Sequence, residues 1–159
     1  MLTVRVVAVG KPGALLRDAI LDYERRAARY WNFESLEVRE ERLSRTGDEA
    51  RVRDAEGARL LERVPPGAEI IALTRAGRPW TSTRLARHLQ EAADTGRAAV
   101  AFLIGGAYGL GSEVLARASR QLSLSSLTFP HDMARLALVE QLYRAGTILR
   151  NEPYHKASE

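Results

Sequence analysis

Apolar residues recur along the chain with two different periods, and these periods predict a series of strands and helices. Short apolar runs that stop at glycine, proline or charged residues are typical of buried strands, whereas apolar residues three or four positions apart are typical of one helix face. The runs predict strands at 2–9, 33–38, 69–73, 98–104 and 122–129. The helical spacing predicts helices at 15–30, 49–64, 82–94, 112–120 and 131–150, and residues 74–80 are expected to form a loop.

Predicted strands and helices alternate from one end of the chain to the other. This order is typical of an α/β fold, with a mostly parallel sheet covered by helices on both faces. A chain of 159 residues is long enough for one domain with a substantial core, and it contains no internal repeat or low-complexity linker. We therefore expect a single domain over 1–159.

Composition narrows the class of protein. The absence of cysteine excludes disulfides, thiolate metal sites and cysteine nucleophiles. No apolar window reaches the length of a membrane helix, and the amino-terminal run is predicted to be a strand rather than a signal peptide, so a cytoplasmic location is expected. Basic residues other than Lys11 and Lys156 are arginines, which suit phosphate. The net charge of +4 is only weak evidence for a nucleic-acid partner.

Two predicted strands end abruptly, and their ends predict the ligand site. The run 98–104 stops at the glycine loop Gly105–Gly111, and the run 122–129 stops at Pro130. Carboxyl ends of parallel strands line the crevices in which open α/β folds bind ligands. The loop lacks the dinucleotide fingerprint, because Val114 stands where its third glycine should be, and the chain has no P-loop. A ligand-binding loop and a tight turn without a ligand both remain open.

The last predicted helix carries charged residues in two places. His131 and Arg135 lie on the same side as its apolar residues, where a buried partner or a site is needed to accommodate them. They also lie at the amino end of the helix, which favours negative charge. Glu140 and Arg144 lie on the opposite side, with the spacing of an ion pair on a solvated face.

Four blocks of sequence, taken together, resemble one known family. They are Leu103-Ile-Gly-Gly-Ala-Tyr-Gly-Leu110, Leu124-Ser-Ser-Leu-Thr-Phe-Pro-His131, Glu140-Gln-Leu-Tyr-Arg-Ala145 and Pro153-Tyr-His155. The opening 6–11 and the Gly-Arg-Pro-Trp segment at 77–80 fit the same pattern. In these motifs the chain resembles the small SPOUT-class methyltransferases, which methylate N3 of a pseudouridine in 23S ribosomal RNA.

The resemblance implies an S-adenosylmethionine-dependent enzyme with an α/β knot fold. The carboxyl-terminal segment would form a trefoil, with the cofactor-binding knot within about residues 69–155 and no metal. The cofactor would be held mainly by backbone groups at Leu73, Gly105, Gly106, Ser125, Ser126, Leu127, Thr128, Phe129 and Pro130.

The resemblance further implies a homodimer in which the tail of one subunit completes the site of its neighbour. The implied catalytic residues are His131, Arg144, Tyr154 and His155, and Arg135 also falls on a position that looks functional. A neutral histidine or a tyrosinate could take the imide proton of pseudouridine, and an arginine could hold the resulting anion. The general base is left open among His131, Tyr154 and His155, and the contribution of Lys156 is left open too.

The expected substrate is 23S ribosomal RNA within the assembled ribosome. One alternative is a SPOUT methyltransferase for another RNA, such as transfer RNA. A second is a non-catalytic ribosome-binding factor that has kept the fold, which would bind no cofactor. A Rossmann-type oxidoreductase is disfavoured because the chain lacks the glycine fingerprint and a suitably placed acidic residue after the glycine loop.

Overall fold

A computed structural model describes residues 1–156 of the chain, and it contains five strands and five α-helices in that range. The strands are β1 (Thr3–Val9), β2 (Asn32–Val38), β3 (Glu69–Pro79), β4 (Ala99–Ile104) and β5 (Arg120–Ser123). The helices are α1 (Ala14–Ala27), α2 (Glu49–Glu62), α3 (Ser82–Asp94), α4 (Ser112–Arg117) and α5 (His131–Leu149). A 3₁₀ turn, Pro153–His155, follows α5. Within the described range, no helix is both long enough and apolar enough to cross a membrane.

All neighbouring strands run parallel, in the order β2-β1-β4-β3-β5. Helices α1, α3 and α5 pack on one face of this sheet around Phe102, and α2 and α4 pack on the other face around Leu103. The side chains of successive residues in β4 thus pack on opposite faces of the sheet, as the pleat of a strand requires. The predicted α/β fold, with a parallel sheet and helices on both faces, is confirmed.

The structure differs from the sequence prediction at β3 and β5. The expected loop 74–80 is mostly strand, because β3 continues to Pro79. The last strand ends at Ser123, so residues 124–129 of the expected strand lie in a turn region instead. Helix α4 also ends three residues early, at Arg117.

The extension of β3 arises from its unusual pairing with β5. Leu122 pairs with both Leu73 and Arg78. Because a strand residue has one ladder partner on each edge, Leu73 and Arg78 flank β5 on opposite sides, and residues 74–77 cross it. A Cβ atom at Gly77 would lie only 2.6 Å from the backbone of Gln121, so a glycine is required at this crossing. Apolar periodicity carries no information about such a crossing, and this explains the wrong loop prediction.

Arg135 anchors the amino-terminal half of α5 to the sheet and to α1. Its guanidinium group donates to Ser35 Oγ at 2.8 Å and to Glu24 Oε2 at 3.3 Å, and it also pairs with Glu37. The Arg135 side chain is only 6% exposed. These partners account for a buried arginine without a ligand, so the position that looked functional in the sequence has a structural role.

We predict that Arg135→Ala destabilises the fold by about 3 kcal/mol, because Glu24 and Glu37 would lose their buried counter-charge. Urea denaturation measures the change. Arg53→Ala is the control, since Arg53 forms a loose pair with Glu49 at 3.9 Å on the surface of α2 and should cost below about 1 kcal/mol. Equal stability losses in the two variants would contradict the anchoring role of Arg135.

Candidate functional site

A cavity of about 630 Å³ opens at the carboxyl ends of β4 and β5, beside the middle of β3 and the amino end of α5. Its volume lies within the range of small-molecule sites. Eight of the nine residues predicted to hold the cofactor line it, namely Leu73, Gly105, Gly106, Ser125, Leu127, Thr128, Phe129 and Pro130. Ser126 does not line the cavity and is exposed.

The glycine loop forms one wall of the cavity. The Gly109 N–H donates to the Gly106 carbonyl at 3.1 Å, and Gly109 adopts a φ of +81°, which favours glycine. A Cβ atom at Gly105 would lie 2.7 Å from the backbone of Gly109. The loop therefore needs these glycines to turn back on itself.

Gly106 has a packing requirement of its own. A Cβ atom there would lie 3.0 Å from Val9 Cγ1 and 3.1 Å from Glu56 Oε1. Both neighbours are protein atoms, so a side chain at this position would disturb packing around the loop. Small residues alone are thus weak evidence for a ligand, and the cavity itself is the stronger observation.

The opposite wall is the turn region that follows β5. The Ser125 hydroxyl accepts a hydrogen bond from the Leu127 N–H at 3.0 Å, which holds the turn closed. Arg75, on the crossing segment of β3, donates to Thr128 Oγ1 at 2.6 Å. The Leu127 and Phe129 side chains are 70% and 38% exposed, so the wall presents an apolar surface as well as backbone polar groups.

His131 lies where α5 begins and lines the same cavity. Its Nε2 atom is 3.2 Å from the Lys11 carbonyl oxygen. A carbonyl can only accept, so Nε2 carries the proton, and Nδ1 of the neutral ring is left as an acceptor. The Gly13 N–H donates to Asp132 at 3.0 Å, which fixes the same loop against the amino end of α5.

A second group of predicted residues surrounds the carboxyl-terminal half of α5. We call Tyr23, Glu140, Tyr143, Arg144 and Tyr154 the tail cluster. Arg144 pairs with Glu140 at 2.7 Å, and the Tyr154 hydroxyl donates to the same carboxylate at 2.8 Å. The Arg144 guanidinium lies over the Tyr154 ring, 5.0 Å from its centroid. The predicted ion pair is present. The prediction that it lies on a solvated face is wrong, since the two side chains are only 17% and 19% exposed.

The surroundings of Tyr154 keep its phenol protonated. Burial, a hydrogen bond with Tyr23 and the hydrogen bond to Glu140 all raise the pKa of Tyr154 above its ordinary value of 10.0. The Glu140 carboxylate likewise raises the pKa of Arg144. In this arrangement Tyr154 acts as a hydrogen-bond donor, and a tyrosinate base is disfavoured.

His155 is oriented by the helix that precedes it. Thr147 Oγ1 donates its proton to the Arg144 carbonyl at 2.7 Å, so it accepts at the 3.4 Å contact with His155 Nδ1. That contact places the ring proton on Nδ1. Both His155 and Lys156 are therefore at the end of the tail cluster rather than at the cavity.

The cavity and the tail cluster are far apart within one chain. His131 and Arg144 are thirteen residues apart on one continuous helix, a separation of about 20 Å. No single reacting atom can touch both groups. The sequence motifs predict that these residues belong to one catalytic site. The fold of a single chain, however, holds them apart.

An apolar groove of about 670 Å³ connects the two groups along α1, α3 and α5. It shares Leu122, Leu124 and Phe129 with the cavity, and it reaches Tyr23 and Glu140 of the tail cluster. Met133, which lines the groove, is 49% exposed. We use the name "apolar groove" for this surface.

Several lining residues were missed in the sequence. Arg75 lay in the expected loop, and Leu122 and Leu124 looked like ordinary members of an apolar run. Ala134 follows His131 on α5 but carries no chemical signal. The helical spacing placed Tyr23 on an inward face, yet nothing in the pattern linked it to the tail.

Together, the parallel sheet, the cavity at its carboxyl edge and the backbone-rich walls define an α/β protein with a site for a nucleoside-sized ligand. Comparison with known proteins identifies the class. A family model described as "Predicted SPOUT methyltransferase" matches residues 2–155. The chain therefore belongs to the SPOUT methyltransferase family, and it is an enzyme that uses S-adenosylmethionine. The cavity fits this cofactor in volume and in its mixture of backbone polar groups and apolar side chains.

Relatives and one solved structure agree with this assignment. Two proteins named "Ribosomal RNA large subunit methyltransferase H" are similar over nearly their whole length. The one from Gemmatimonas aurantiaca is 48% identical, over 96% of this chain and 99% of its own. The one from Desulfitobacterium hafniense (strain DCB-2) is 42% identical, over 98% and 100%. A methylase family protein from Neisseria gonorrhoeae superposes with a TM-score of 0.55 at 16% identity, over 89% of this chain and 81% of that one, and supports the fold.

We predict that Ala134→Phe weakens S-adenosylmethionine binding at least about tenfold, because the larger side chain would occupy part of the cavity. Isothermal titration calorimetry measures the Kd. Ala116→Phe is the matched control, since Ala116 is exposed on α4 and outside the cavity. Unchanged binding by folded Ala134→Phe would place the cofactor elsewhere.

Proposed function

We propose that this enzyme methylates N3 of a pseudouridine in 23S ribosomal RNA. The observation that carries the proposal is the match, over almost the whole chain, to relatives named as large-subunit ribosomal RNA methyltransferases. The motifs at 103–110, 124–131 and 153–155, which carried the resemblance in the sequence, lie at the cavity and at the tail cluster. The tertiary arrangement thus gives each motif a role compatible with this reaction.

The proposed enzyme is a homodimer with a composite site. Helix α5 separates the cavity from the tail cluster by about 20 Å, and the apolar groove between them offers surface for a second copy. In a two-fold dimer, each copy presents the same surface to the other. The tail cluster of one subunit can then lie over the cavity of its partner, which would unite His131 with the partner's Arg144, Tyr154 and His155.

In this dimer, side chains from both subunits would bind and deprotonate the imide of the pseudouridine. S-adenosylmethionine supplies the electrophilic methyl group when bound. Arg144 is oriented by Glu140 and would stabilise the anion that forms when the imide loses its N3 proton. Tyr154 donates its single phenol proton to Glu140 and so would help to hold the Glu140–Arg144 pair in position. The proton acceptor is then a histidine, either His131 through Nδ1 or His155.

The pairing of Leu122 with Leu73 and Arg78 supports a further part of the proposal, the trefoil knot. The segment 74–77 crosses β5, and the turn region 124–130 continues from β5 into α5. A knot of this kind would bring the backbone walls of the cavity together within residues 69–155 of a single domain. The proposed setting is the cytoplasm, where the target is the assembled ribosome.

We predict that a strain lacking this protein loses one methyl group from a pseudouridine of 23S ribosomal RNA, and that re-expression restores it. Mass mapping of nuclease fragments measures the methyl group and its position. Re-expression of Ala134→Phe should restore little, whereas the Ala116→Phe control should restore it fully. Loss of a methyl group from transfer RNA instead would identify a different RNA substrate, and no change in any RNA would favour a non-catalytic ribosome-binding factor.

We predict that two inactive variants complement each other in a mixed dimer. Arg144→Ala should lower the rate on the order of a hundredfold or more, and Ala134→Phe should leave its cavity largely without cofactor when S-adenosylmethionine is kept near the wild-type Kd. In the mixed dimer, the Arg144→Ala subunit keeps an intact cavity, and the other subunit supplies an intact tail cluster. Subunits with different tags, purified in tandem, should therefore recover up to about half of the wild-type rate, since one of two sites is complete.

The control for this experiment combines both substitutions in one subunit and pairs it with a wild-type subunit. A site shared between subunits predicts an inactive pair, because the wild-type cavity then faces an altered tail cluster. A site within one subunit predicts the opposite pattern, with this pair active and the complementing pair inactive. Methyl transfer to ribosomes, with dimer composition checked by native mass spectrometry, distinguishes the two.

A further inference from the structure

The outer edge of β5 carries a strongly basic groove that the proposed reaction does not use. It has a volume of about 780 Å³ and lies between the end of β3, the start of α3 and the residues before β5. Its lining includes Arg78, Trp80, Arg84 and Arg120, and none of the described residues that line it is acidic. We call this surface the arginine groove.

Trp80 organises two of these arginines. The Arg84 and Arg120 guanidinium groups lie 5.3 Å and 5.9 Å from the centroid of its ring, within the range of cation–π contact. The ring itself packs against His88, with centroids 5.0 Å apart, and His88 is fixed by a 2.8 Å hydrogen bond to buried Glu69. A stacked guanidinium keeps its in-plane N–H donors available, so it loses little freedom on meeting an anion.

The charge of the groove is only partly compensated. Arg120 lies 3.4 Å from Glu69. In the described part of the chain, no carboxylate lies within ion-pair distance of Arg78 or Arg84, and both residues are exposed. By contrast, the buried Arg135 and the half-buried Arg144 have carboxylate partners. The groove therefore retains a local positive potential available to a ligand.

The groove is adjacent to the cofactor cavity. Arg78 and Leu73 pair with opposite edges of Leu122, so the two surfaces are about 10 Å apart, the width of two strand spacings. Arg75, on the crossing segment between them, lines the cavity. A polymer whose target nucleotide reached the cavity would place its neighbouring phosphates within reach of Arg78 and Arg84.

We propose that the arginine groove binds the phosphate backbone of the substrate RNA beside the target nucleotide. Arginine suits this partner because its planar fork donates two parallel hydrogen bonds to a phosphate. The assignment rests on the proposed RNA methyltransferase function, and it adds the surface that holds the RNA strand. Phosphate contacts set position and affinity rather than sequence preference. The groove thus serves as the RNA-binding surface of a chain with one small sheet domain.

The test compares the salt dependence of RNA binding in wild-type protein and in Arg78→Gln/Arg84→Gln. Two probes are used, purified assembled ribosomes and single-stranded poly(U). We expect the double variant to bind both probes at least about tenfold more weakly at 0.1 M salt. Its slope of log affinity against log salt should be shallower by about 1.4, or about 0.7 for each single-strand phosphate that the variant no longer neutralises. The Kd for S-adenosylmethionine and the Tm should remain at wild-type values.

The matched control is Arg29→Gln/Arg63→Gln, which removes the same charge at exposed positions just before β2 and β3, on the sheet edge where the strands begin. It should keep the wild-type slope. Equal slopes for the groove variant and wild type on both probes would overturn the assignment. Strong competition by poly-glutamate, as effective as poly(U), would also overturn it in favour of an acidic protein partner. Failure of wild-type protein to methylate assembled ribosomes would refute the proposed function, while the poly(U) slopes would still decide the role of the groove.

Discussion

The length and continuity of α5 are the constraint on which the rest of this molecule depends. Its amino end closes the cavity with His131, and its carboxyl-terminal half carries Arg144 and supports the tail. Because the helix is continuous, it holds these two groups about 20 Å apart within one chain. The two groups are complementary in chemistry, since one surrounds a cofactor-sized space and the other holds an oriented guanidinium. In the proposed dimer, a second copy of the chain would resolve this separation by packing on the apolar groove along α5.

The anchoring of α5 is electrostatic at one end and aromatic at the other. Arg135 ties its amino-terminal half to β2 and α1 through Glu37 and Glu24. Near the carboxyl end, Tyr143 packs edge-on against Tyr154, with ring centroids 4.6 Å apart. Burial of both regions reduces the screening of their charges by water. These buried contacts therefore hold Arg135 and Tyr154 in position. Burial also raises the pKa of Tyr154.

The crossing of β5 by residues 74–77 links the cofactor cavity to the basic surface beyond it. Gly77 permits the close approach, and the residues on either side of the crossing line different surfaces. Leu73 and Arg75 line the cavity, whereas Arg78 lines the arginine groove. A single short segment thus contributes walls to both the cavity and the arginine groove, which we propose to hold the cofactor and the RNA backbone.

The sequence by itself determined the α/β class, the sheet edge that carries the cavity and the family, because apolar periodicity and local motifs are properties of neighbouring residues. Eight of the nine residues that it predicted to hold the cofactor line the cavity, since all but Leu73 lie in two contiguous blocks. Tertiary structure alone decided that Arg135 is a structural ion-pair partner, that the pair of Glu140 and Arg144 is half-buried, and that Arg78 and Pro79 pair with β5. Each of these depends on contacts between residues distant in sequence, with carboxylates on β2 and α1, with the tail, or with a strand some forty residues later. Helical spacing cannot distinguish a charged residue that faces a ligand from one that faces a buried counter-charge, because both occupy the same side of the helix.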